Sequence, residues 1–263
     1  MDQKASAKPG LPDRQIKSAS GVRLLMWILG AAWFCLIVVI TSTSYASNFL
    51  NADVLLNSVM SLQNVTLFYW GQNRLLNVLP LLASPVYDPV LNLGLVISLT
   101  VAVFYLLILV LARCASDCLG ARVSTTTQVF VLLSSLFLIL FLPIAVAEIT
   151  IGHIEYSLAA LLVALALWVL WRRPKVSRPQ AALAGCLILV AIGVNPAAFL
   201  LLAFALTAMA LYRKDIRSPD ICVALFSIAA LVFWLIITSH HGSTEYAEFS
   251  LQLIPEGLTS VLS

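Results

Sequence analysis

The stretch NADVLLNSVMSLQNVTLFYWGQNRLLNVLP, Asn51–Pro80, separates two long apolar runs. It is too polar to cross a bilayer unaided and too apolar for an ordinary loop. From Asp53 to Phe68 the apolar residues Leu55, Leu56, Val59, Met60, Leu62 and Val65 recur with a period near 3.6, which predicts a helix. The polar residues Asp53, Asn57, Ser61 and Asn64 form one stripe along that helix. Two such faces suit a helix lying in the plane of a membrane interface. Phe68, Tyr69 and Trp70 have the character of an aromatic belt at headgroup level, and Gly71 permits a turn after them. Gln72, Asn73 and Arg74 then make a compact polar cluster, and a second apolar stretch, Leu75–Leu82, follows.

The rest of the chain says on which side of a membrane this stretch is expected to lie. Of 263 residues, 61% are hydrophobic and only 10% are charged. A soluble domain carries roughly 25% charged residues, so the composition excludes a cytosolic fold and predicts an all-α polytopic transmembrane bundle. A span needs about 20 apolar residues. Val22–Thr43, Leu91–Ala112, Val129–Ala147 and Ile221–Thr238 meet that length; Tyr156–Trp171, Ala181–Val194 and Ala197–Tyr212 are shorter, giving about seven spans. Gly193–Ala198, GVNPAA, predicts a hairpin between the last two short ones, because Asn195 and Pro196 break a helix. With the N-terminus in the cytoplasm, 14 of the 15 basic residues fall on the cytoplasmic side, and Arg74 alone lies outside. The first span reads as an anchor rather than a removed leader. The expected organisation is a disordered cytoplasmic tail over residues 1–21, a transmembrane domain over 22–238 with its first outer loop at 44–90, and an outer segment over 239–263.

In this orientation the outer side gathers Asp53, Asp88, Glu148, Glu155, Glu245, Glu248 and Glu256 together with all three histidines, His153, His240 and His241. Asp53 near the membrane surface has the chemistry to take a proton from an incoming hydroxyl, and Arg74 to clamp a phosphate. His153 with Glu155 has the makings of a base pair. Residue type alone fits blander roles equally well: Asp53 as a helix N-cap, Arg74 snorkelling to headgroups, His153 and Glu155 as solvated loop residues beside the fourth span. His240, His241 and Glu245 resemble a metal constellation only weakly, so no metal site is assigned, and a divalent cation is the single cofactor left open. Cys114 and Cys118 have no histidine near them on their side. Neither a nucleotide-binding loop nor a nucleic-acid patch is visible, and a membrane protein partner stays open.

This layout resembles the GT-C superfamily, integral-membrane glycosyltransferases that use polyprenyl-phosphate-linked sugars. The matching residues are the acid of "NAD", Asp53, about ten positions past the first span; His153 and Glu155 in "IGHIEYS"; and Arg74 in "WGQNR". The resemblance implies Asp53 as catalytic base, His153 and Glu155 beside it, Arg74 on the lipid phosphate, and Asn57, Gln72 and Asn73 facing substrate. It also implies a sugar donor carried on polyprenyl phosphate, contact with membrane lipids and an active site on the outer face; the small size and the lack of a strong sorting signal suit a bacterial inner membrane. The single acid near the start of the first loop, where many members have paired acids, and the chain length imply a fragment or an abbreviated member. The competing expectations are a secondary transporter or channel, and a non-catalytic assembly subunit; the near absence of charge inside the spans argues against the first.

Overall fold

The computed structural model describes residues 13–48, 50, 52–63, 76–118, 124–141, 154–172, 175–213 and 216–239. Among them the secondary structure is entirely helical: α1 (Asp13–Asn48), α2 (Ala52–Leu62), α3 (Val78–Ala83), α4 (Pro89–Cys118), α5 (Thr125–Phe141), α6 (Ile154–Trp171), α7 (Arg178–Val194), α8 (Ala198–Arg213) and α9 (Ser218–Ser239). Four segments are long and apolar enough to cross a membrane: Leu24–Ser47, Pro89–Asp117, Ile154–Trp171 and Ser218–Ser239. α5, α7 and α8 are apolar but shorter.

Helix limits follow local chemistry. Pro89 opens α4, and the Asp88 Oδ1 accepts the amides of Val90 and Leu91 at 3.0 and 2.8 Å. Ser124 Oγ accepts the Thr127 amide at 3.1 Å and starts α5. Gln180 Oε1 reaches back to the amide and hydroxyl of Ser177 at the head of α7. Asn195 serves two helices: its amide donates to Ala191 O at the end of α7, and its Oδ1 accepts the Ala197 amide at 2.9 Å where α8 begins. That is the hairpin expected at GVNPAA. α1 begins at Asp13, within the stretch expected to be a cytoplasmic tail. Arg14, Gln15 and Lys17 are good helix formers, and extending a helix that already exists avoids the cost of nucleation.

Contacts between helices fix their directions. Cys114 Sγ meets Ala164 O, 50 positions on, and Trp168 Nε1 donates to Asp117 Oδ2, 51 positions back. The nearly constant offset makes α4 and α6 parallel. Trp171 Nε1 donates to Asp220 Oδ1 at 2.8 Å, so α6 ends where α9 begins. One end of the bundle therefore collects the C-termini of α4, α6 and α8 and the N-termini of α5, α7 and α9. Arg113, Arg172, Lys175, Arg178, Arg213 and Arg217 all fall at that end.

The offset also places Ile154 level with Phe104, halfway along α4. At 1.5 Å per residue, α4 is about 45 Å long and α6 about 27 Å. The first half of α4 thus rises past the start of α6, and α2 and α3 occupy the space above it. Ile37, Tyr45, Val54, Leu79, Val96, Val101, Tyr105 and Ile154 form a core joining α1, α2, α3, α4 and α6. Within it the hydroxyls of Thr41 and Tyr105 meet at 2.9 Å, tying α1 to α4.

A second core joins α6 to α9 around Ala166, Leu170, Ala184, Ile188, Ala191, Ile192 and Leu202. Small residues on α6 and α7 let the two backbones approach closely. Gly185 carries the same economy towards α9: a Cβ there would lie 3.2 Å from the Phe226 ring. Replacing Gly185 by Leu is expected to cost about 1–3 kcal/mol through overpacking. Thermal unfolding of the purified protein in detergent checks this, and an unchanged midpoint would show that the α7–α9 seam yields freely.

Candidate functional site

At the end of the bundle opposite the basic one, α2 presents Val54, Asn57, Ser58, Met60 and Ser61 to the protein interior. Leu55 and Val59 point outward, 43% and 42% exposed. Asn57 and Ser61 of the polar stripe are therefore turned inward beside Val54 and Met60, and Leu55 and Val59 face outward. This suits a helix beside lipid, because the polar groups find partners only in the protein.

Asn92 is the hub of those partnerships. It is completely buried near the start of α4. Its Oδ1 accepts the hydroxyls of Ser58 and Ser61, both at 2.8 Å. Its Nδ2 donates to Ala83 O at 3.0 Å and Val86 O at 2.9 Å. One side chain thus pins α2, the end of α3 and the following turn to α4, using its amide's full hydrogen-bonding capacity.

One residue away from Ser58, Asn57 does a second joining. Its Nδ2 donates to Asp53 O at 2.9 Å and to Glu155 Oε1 at 3.3 Å. The first turn of α2 and the first turn of α6 are thereby linked through one amide, across 98 positions of sequence. Glu155 is buried, at 8% exposure, and Asn57 and Asn77 are buried beside it. Asp53 is half-buried. The two acids differ accordingly: a molecule arriving from solvent reaches the Asp53 carboxylate, whereas Glu155 is held inside and oriented by Asn57.

Asn57, Leu76, Asn77, Val78, Leu79, Pro80, Ile154, Glu155, Leu158 and Val194 enclose a cleft of about 10 Å³. That is room for about one water molecule. The segment entering α3 is docked on the α7–α8 hairpin, since the Leu76 amide donates to Gly193 O at 3.2 Å. Four parts of the chain meet here: α2, the approach to α3, the start of α6 and the end of α7.

Of the residues singled out in the sequence, Asp53, Asn57 and Glu155 are brought together. Arg74, Gln72, Asn73 and His153 lie outside the described residues, as do Glu148, His240, His241, Glu245, Glu248, Glu256 and the segment after Ser239. Arg74 is two positions before Leu76, and His153 immediately precedes α6. Among the described residues no three His, Cys, Asp or Glu side chains are grouped to hold a metal.

Sequence reasoning missed Asn92, Ser58 and Asn77 as members of this region. A signal existed for Asn92, a lone amide at the head of an otherwise apolar span, VLNLGLVISL. No family model matches the chain, and neither the curated proteins nor the solved structures contain a significant match to it.

Proposed function

We propose that the chain is a bacterial inner-membrane protein with its basic end in the cytoplasm. In this reading α1 and α4–α9 supply seven crossings, and α2 and α3 belong to the first outer segment. At the outer end it transfers a sugar from a polyprenyl-phosphate carrier to an acceptor, in the manner of GT-C glycosyltransferases. The observation that carries this reading is the Asn57 bridge, which joins the turn bearing Asp53 to the buried Glu155. In a GT-C layout the second outer loop often adds an acid or a histidine near the first-loop acid, and the bridge fits that arrangement.

The chemistry follows from the two environments. The acceptor oxygen attacks the anomeric carbon, and Asp53, the more accessible acid, takes the proton from that hydroxyl. The bond from the anomeric carbon to the phosphate oxygen breaks, and the lipid phosphate leaves with its electron pair. Arg74 would balance that charge. Glu155, with Asn57, keeps the first turn of α2 in register with α6 and acts by positioning.

Purified protein in proteoliposomes, supplied with polyprenyl-phosphate-linked sugars and a hydroxylic acceptor, is expected to consume donor and release lipid phosphate. Glu155→Gln should slow that turnover about tenfold while donor binding persists, because the Asn57 contact loses the strength of a charge-assisted bond. Failure of the wild type to turn over any such donor would refute the assignment.

The burial of the bridge favours a second reading. Asn57 and Glu155 are both buried and bonded to each other, and would then be a structural clasp in a non-catalytic assembly subunit. That reading predicts that a partner-dependent activity survives both Asp53→Asn and Glu155→Gln.

A further inference from the structure

The opposite, basic end carries a second arrangement with its own chemistry. Trp168 and Trp171 lie in the last turn of α6, and each indole N–H is fixed by a carboxylate: Trp168 by Asp117 at 2.9 Å and Trp171 by Asp220 at 2.8 Å. Tryptophan pairs held in this way, with one edge polar and the ring body apolar, occupy the headgroup boundary of a bilayer. The Arg172 guanidinium lies 5.2 Å above the Trp168 ring. Arg172, Lys175 and Arg178 are all exposed around the connection from α6 to α7.

Among the described residues, the acids Asp117 and Asp220 at this end are already engaged. Asp117 pairs with Arg113 at 3.3 Å as well as with Trp168. Asp220 accepts the Arg217 backbone amide as well as Trp171. The head of α7 is closed by Gln180 on Ser177, so its amides do not define the site. Among the described residues, Arg172, Lys175 and Arg178 then present exposed positive charge one step beyond a tryptophan boundary.

We propose that Arg172, Lys175 and Arg178 form a binding site for the phosphate of an acidic glycerophospholipid, with Trp168 supporting the glycerol end of the chain. Long cationic side chains extend from such a boundary into the phosphate layer. The proposal rests on the apolar spans and is independent of glycosyl transfer.

The test uses the full chain in bilayers of phosphatidylcholine containing a minor fraction of phosphatidylglycerol. Electron paramagnetic resonance of spin-labelled lipids reads the relative association of each lipid with the protein. The wild type is expected to prefer phosphatidylglycerol, with the preference weakened by 1 M salt. Each cation replaced by Gln should reduce it by about fivefold, on the ordinary worth of one basic residue near an acidic membrane surface. Lys175→Gln and Arg178→Gln are tested singly as well as in the triple variant with Arg172→Gln, so that poor folding of the triple leaves the answer readable. Equal association of the two lipids with the wild type, or a preference unchanged in both single variants, would overturn the proposal.

Discussion

Asp53→Asn is expected to lower sugar transfer by about 10²–10⁴-fold, the usual contribution of a positioned general base. The variant should fold and bind donor normally, for a reason specific to this structure. Asn57 is anchored on the Asp53 backbone oxygen, which the substitution leaves in place. The link onward to Glu155 therefore survives. The stability cost includes the lost interaction of a negative charge with the first turn of α2, about 0.3–1 kcal/mol. Donor turnover and thermal unfolding measured on the same preparation separate the two effects. A variant that transfers at the wild-type rate would remove Asp53 from the chemistry and favour the structural reading of the clasp.

The largest effect on stability is expected at Asn92. Asn92→Ala strips partners from two hydroxyls and two backbone carbonyls in a fully buried place. Leaving buried polar groups unsatisfied costs roughly 1–3 kcal/mol each where nothing relaxes, and partial re-pairing brings the whole to about 2–4 kcal/mol. Ser61 keeps one alternative, because its hydroxyl also reaches Ser58 O at 2.7 Å. The loss should appear as a lower unfolding midpoint and as easier proteolysis around α2, the element Asn92 holds down. Ser58→Ala removes one of the same bonds and should cost only about 1 kcal/mol. If Asn92→Ala were as mild as Ser58→Ala, α2 would be held by apolar packing through Val54 and Met60 instead.

Much of the architecture was legible because apolar runs and helix breakers are local. The break read at Asn195–Pro196 in the sequence separates α7 from α8 in the structure. The acid near the start of α2 was legible for the same reason. The direction in which α2 faces was not. Periodicity separates Asn57 and Ser61 from Leu55 and Val59, but both lipid beside the helix and water above it are consistent with two opposed faces. Only Asn92 and Glu155, 34 and 98 positions away from their partners, decide that the polar face turns inward. The meeting of the α3 approach with Gly193 was similarly hidden, because a backbone hydrogen bond between distant segments leaves no trace in residue type.

Sidedness is the claim on which the rest depends, and labelling tests it most directly. In a background with the native cysteines replaced, Gln63→Cys and Lys175→Cys place single thiols at exposed positions at the two ends of the bundle. Intact cells are treated with a membrane-impermeant maleimide. The account predicts that the thiol at position 63 reacts from outside and that the thiol at 175 reacts only after permeabilisation. Labelling at 175 in intact cells, with 63 protected, would contradict it and put the Asp53–Glu155 site on the cytoplasmic side.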